Sequence, residues 1–147
     1  MPSIISPDQM RLFAERGYVV VPDVVPKPLI EAARRRVDDL IHLNPPPAQH
    51  RGFHFYWESQ PSDADPLVAT LHASGAIDLA TSLVAPLELV KPDQVQVSLN
   101  IPIWDHRPGG PHIDGLTPPE PSGRPGTFTM LAGIFLTDQP TEDMGNL

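Results

Sequence analysis

The chain has 147 residues, 40% of them hydrophobic and 6% aromatic, with a formal charge of −8 and no cysteine. That length suits one domain with one core, the acidity excludes a general nucleic-acid binder, which needs basic patches against phosphate, and the lack of thiols removes disulfides, zinc-thiolate sites and cysteine nucleophiles together. No apolar run approaches the ~18 residues that would cross a bilayer, and Met1 to Ser6 lacks the basic and apolar regions of a secretory leader, so we expect a cytoplasmic protein without a membrane partner.

Proline is the unusual count, 20 of 147, and the prolines punctuate the ends of apolar segments as boundary residues of short elements do. Ser6-Pro7-Asp8-Gln9 carries the chemistry of a helix start, with Ser6 as N-cap, Pro7 at the first helical position and Gln9 placed to complete a capping box. Gly17 closes that helix. Tyr18-Val19-Val20-Val21 is aromatic and β-branched and ends at Pro22, which predicts a short buried strand. Beyond Pro26-Lys27-Pro28, the residues Leu29, Ile30, Ala33, Val37, Leu40 and Ile41 recur at helical spacing, while Arg34, Arg35, Asp38 and Asp39 fall mainly elsewhere. Asn44-Pro45-Pro46-Pro47 stops this second helix. The run Arg34-Arg35-Arg36 has the charge to take a phosphate, but beside Asp38 and Asp39 it reads as a solvated face.

From Ala48 to Asp65 an irregular stretch is expected, carrying His50, Arg51, His54, Phe55, Tyr56 and Trp57 and serving as a candidate wall or lid of a pocket. Pro66 to Ala73 and Gly75 to Val84 read as two short helical turns. Leu67, Val68, Leu71, Ile77, Leu79, Ala80 and Leu83 pack them, and His72 is read as structural. A short strand is expected over Pro86 to Val90. After Pro92 comes the clearest alternation: Val95, Val97, Leu99 and Ile101 on one face, Gln94, Gln96, Ser98 and Asn100 on the other. Solvent accounts for such a polar face, yet it leads towards the chain's histidine-rich segment, which makes Gln96 and Asn100 candidate ligand contacts.

That segment runs from Trp104 to Leu116. In an extended backbone, His112 and Asp114 project to the same side while Ile113 points away, so one imidazole and one carboxylate can meet a single metal ion. Gly109-Gly110-Pro111 before them and Gly115 after them keep side-chain bulk away. A bare His-x-Asp is common by chance, so its context carries the weight. A Pro-Gly loop with Arg124 follows from Thr117 to Gly126, then Phe128 to Thr137, expected as a strand buried on both faces, and turns at Asp138-Gln139-Pro140 and Gly145-Asn146.

Taken in order, the capped helix leading to Gly17-Tyr18-Val19-Val20-Val21-Pro22-Asp23, the amphipathic helix, the strand, Pro111-His112-Ile113-Asp114-Gly115, the apolar Phe135-Leu136-Thr137-Asp138 and the late Gly145-Asn146-Leu147 resemble the phytanoyl-CoA dioxygenase family. The resemblance covers nearly the whole chain. It implies a mainly β fold with N-terminal helices, a double-stranded β-helix or cupin-like jelly roll, in one domain over 1–147, helical to residue 90 and with jelly-roll strands from 94 onward. It also implies an iron(II)- and 2-oxoglutarate-dependent oxygenase that uses dioxygen to hydroxylate a small organic substrate. His112 and Asp114 would supply two of three iron ligands in a facial triad that leaves positions open for cosubstrate and dioxygen. Asn100 and Gln96 would sit near 2-oxoglutarate, and the retained Asp114 carboxylate speaks against the related halogenases.

The chain departs from the family pattern in one respect. The second histidine ligand and the arginine that anchors 2-oxoglutarate come after the Gly-x-Leu turn in the family, whereas no histidine follows Asp114 here, and Arg124 lies before that turn. We therefore expect a C-terminally truncated piece of a family member, inactive alone, whose incomplete sheet exposes residues such as Phe135. The alternative is a complete short protein that recruits His106, His50 or His54. Two other functions compete with the oxygenase: a non-catalytic jelly-roll binding protein that uses the His50 to Trp57 stretch with the polar strand, and a cupin-like metal isomerase or hydrolase that needs no cosubstrate.

Overall fold

Ser6 opens the first helix through two reciprocal hydrogen bonds. The Gln9 backbone N–H donates to Ser6 Oγ at 3.2 Å and the Ser6 N–H donates to Gln9 Oε1 at 2.9 Å, which satisfies donors the helix start would otherwise leave unpaired. Helix α1, Pro7–Arg16, ends at Gly17, whose φ of +79° lets its N–H reach back to the Phe13 carbonyl. These features belong to a computed structural model of the chain, which describes residues 5–50, 54–58, 62, 64–90, 92, 95–100 and 130–140. The remaining elements among them are α2 (Lys27–Leu43), a 3-10 turn (Ala48–His50), β1 (His54–Glu58), α3 (Pro66–His72), α4 (Ala76–Val84) and β2 (Gln96–Asn100).

The core lies where α2, α3 and α4 meet. Helix α2 packs on α3, and α3 on α4. Ala33 is buried at the centre of α2, Leu67, Val68 and Leu71 on α3, and Leu79 and Ala80 on α4. Val68 is fully buried. The expected apolar face of α2 faces this core, while Arg34, Arg35, Asp38 and Asp39 are exposed. Asp65 joins the helices twice over: its Oδ1 accepts the Leu67 N–H at 2.8 Å, capping α3, and its Oδ2 accepts the Arg36 Nε–H of α2 at 3.4 Å. The α3 to α4 corner is held by Ser74, whose hydroxyl donates to the Thr70 carbonyl at 2.6 Å and accepts the Ala76 N–H at 3.1 Å. No single helix among the described residues is long and apolar enough to cross a membrane. The bent pair α3 and α4 meets such a test by composition, but its buried residues are those that pack the core.

β1 and β2 form an antiparallel two-stranded ribbon, with His54 opposite Asn100, Tyr56 opposite Ser98 and Glu58 opposite Gln96. Buried Trp57 ties the ribbon to the helices, since its Nε1–H donates to the carbonyl of Asn44, the C-cap of α2, at 3.1 Å.

This architecture corrects the expectation of a mainly β jelly roll. Four α-helices and one two-stranded ribbon make up the regular structure of the described residues. Tyr18 to Val21 is not a strand, and Tyr18 and Val20 are 59% and 67% exposed. Pro86 to Val90 forms none either, with Leu87 and Val90 outward, and over Met130 to Thr137 the described chain is irregular, with Leu131 and Phe135 exposed rather than buried on both faces. The reason is common to all three. β-branched and aromatic residues favour a pleated surface only where a neighbouring strand supplies ladder bonds and packing, and these segments have no paired strand among the described residues. Prolines at 22, 86 and 140 limit such pairing further, because each lacks the N–H a ladder needs. The stretch expected to be wholly irregular between Ala48 and Asp65 holds β1 instead.

Candidate functional site

The ribbon is where the described structure comes closest to the sequence-derived site. On β2 the expected alternation is present, with Gln96 and Ser98 exposed and Val97 and Leu99 half-buried. Opposite residues of an antiparallel pair share a face. The register therefore places Gln96, Ser98 and Asn100 on one face with Glu58, Tyr56 and His54, and Val97 on the other with buried Trp57. The polar half of β2 and the aromatic stretch of β1, some forty residues apart in sequence, are thus direct neighbours. Gln96 and Asn100 stand at opposite ends of β2, about 13 Å apart along the strand at ~3.3 Å per residue.

His112 and Asp114 lie outside the described residues, as do His106, Arg124 and Gly145-Asn146-Leu147. Their donor chemistry, one neutral imidazole and one carboxylate, fits two corners of a facial triad for iron(II). Among the described residues themselves, no group of three or more histidine, cysteine, aspartate or glutamate side chains could hold a metal ion.

His72 takes a structural place. Its Nε2 meets the Pro92 carbonyl, which ties the end of α3 to the segment before β2. A carbonyl only accepts, so Nε2 donates to it, and Nδ1 is buried with no hydrogen-bond partner among the described residues. Arg36, in the arginine run, engages Asp65, and Arg34 and Arg35 stay exposed. Sequence reasoning gave Gln9 only a capping role, Tyr18 only a place in a strand and Arg16 none, and the three line a cleft beside α1. The signal that could have found them is the i, i+3, i+7 spacing of Gln9, Leu12 and Arg16, one face of a helix, directly before the apolar run from Tyr18.

Set against family models, curated proteins and solved structures, the chain matches none of them.

Proposed function

We propose that this chain carries the His-x-Asp part of an iron(II)- and 2-oxoglutarate-dependent oxygenase site that acts on a small organic substrate. The observation that carries the reading is Pro111-His112-Ile113-Asp114-Gly115 followed in order by Gly145-Asn146-Leu147. When bound, iron(II) with 2-oxoglutarate would activate dioxygen, the oxidant, so that one oxygen atom hydroxylates a C–H bond while 2-oxoglutarate takes the other and leaves as succinate and carbon dioxide. His112 would give a neutral nitrogen donor and Asp114 an anionic oxygen that offsets part of the metal charge, while the glycines on either side leave room for ligands at the open positions. The test is anaerobic addition of iron(II) and 2-oxoglutarate to the full-length protein, followed by succinate measurement in air. A visible charge-transfer band and succinate formation are expected, both lost in His112→Ala and Asp114→Ala, and undiminished succinate in either variant overturns the assignment.

A second reading is favoured by the ribbon itself. A non-catalytic binding protein would use the polar face that β1 and β2 form together, where the register sets Glu58 against Gln96 and Tyr56 against Ser98. It predicts no spectral change with iron(II) and 2-oxoglutarate, and loss of ligand binding in Gln96→Ala with Ser98→Ala.

A further inference from the structure

Helix α1 buries none of its residues, although it is amphipathic, and the segment that follows it turns Tyr18 and Val20 outward at 59% and 67% exposure. Between the two runs an open cleft of about 300 Å³, lined by Gln9, Leu12, Arg16, Tyr18, Val19 and Val20. That volume is at the lower end for small-molecule sites, which begin near ~300 Å³. Leu12, Val19, Val20 and the Tyr18 ring give an apolar floor. The polar groups are donors almost without exception. Arg16 is the one charged residue of the lining, and no carboxylate among the described residues pairs with it; Asp8 and Glu15 both engage Arg11 instead. Gln9 commits its Oε1 to the Ser6 N–H in the capping box, which leaves its Nε2 end as a donor. The Tyr18 hydroxyl can donate as well.

We propose that this cleft is a binding site for a small carboxylate with an apolar body, its anionic end on Arg16 and its hydrocarbon along Leu12, Val19 and Val20. The charge argument selects this occupant. In a chain of net charge −8, a concavity whose free polar groups are a guanidinium, an amide NH2 and a phenol complements an anion and disfavours a cation. Arg16 lies one turn beyond Leu12 on the same helix face, so the ligand's head pairs with it at the solvent-open end of the cleft while the body lies against an apolar wall. The site is independent of the His112 and Asp114 reading.

The test is an NMR titration of the ¹⁵N-labelled full chain with octanoate, with 1-octanol and octylammonium as neutral and cationic counterparts. Octanoate should shift the amides of Gln9 to Val20 and bind about fivefold more tightly than 1-octanol, the scale of one exposed ion pair. Octylammonium should bind more weakly than either. The preference for octanoate should shrink as the Debye length falls from ~10 Å at 0.1 M to ~3 Å at 1 M salt. Arg16→Gln, at an exposed last-turn position, should abolish the preference while leaving the circular dichroism unchanged. Val20→Ser should weaken octanoate and octanol alike. Equal binding of the acid and the alcohol, an unchanged preference in Arg16→Gln, or shifts located elsewhere each overturn the proposal. So does a protein-concentration dependence of the same amides without ligand, which would assign the cleft to a second copy of the chain.

Discussion

Gly17 and Asp23 hold the backbone at φ of +79° and +59°, on the two sides of the exposed Tyr18 to Val21 segment. A Cβ added at Gly17 would meet nothing within 4 Å, so the cost of Gly17→Ala is backbone strain alone, about 1 to 2 kcal/mol. Asp23 already bears that strain as a non-glycine residue, and Asp23→Gly should hold or raise stability by up to ~1 kcal/mol. Chemical denaturation of the two variants should therefore move in opposite directions, and a matched loss in both would mean that side-chain contacts, not dihedral strain, govern the turn. The Gly17 C-cap was legible from sequence because it is local chemistry. So was the Ser6 to Gln9 capping box, whose partners sit three residues apart. Asp23 was not, since an aspartate after proline fits several turn types and only the fold selects one.

Between elements, Asp65 serves both as the α3 cap and as the partner of Arg36 on α2. The two roles separate by substitution. Asp65→Asn keeps an oxygen for the Leu67 N–H and weakens the ion pair, for a loss of about 0.5 kcal/mol given the partial exposure of Arg36, whereas Asp65→Ala also removes the cap and should cost about 1 to 2 kcal/mol. A double-mutant cycle with Arg36→Ala measures the difference. Val68→Ala, at a fully buried position of the same helix pair, should cost about 2 to 3 kcal/mol through lost burial and a cavity, read from urea unfolding. The helices of this joint were readable from their 3.6-residue periodicity and proline starts. β1 was not, because its five residues become a strand by pairing with β2 about forty positions later, and no local signal records that partner. Conversely, Tyr18 to Val21 had strand-like composition and found no ladder.

Across the whole molecule, apolar side chains remain on the surface: Leu43, Leu87, Val90, Leu131 and Phe135 are all more than half exposed. Replacing Val90 and Leu131 by serine should lower light scattering at high protein concentration without lowering the unfolding midpoint, since little of either is buried in the fold. A lowered midpoint would show instead that these residues pack. The scale at which sequence reading failed is this one: the mainly β architecture was inferred from the order of motifs, and motif order does not specify which segments find ladder partners. The candidate metal pair, His112 and Asp114, rests on alternation alone and lies outside the described residues, so the structure does not score it. The Trp57 indole offers a way to watch that structure breathe. Its Nε1 proton is held by the carbonyl that ends α2, in a side chain 5% exposed. It can exchange with solvent deuterium only when β1 and the end of α2 part, so the lifetime of that single proton is a clock for the opening of this joint between the helical core and the ribbon.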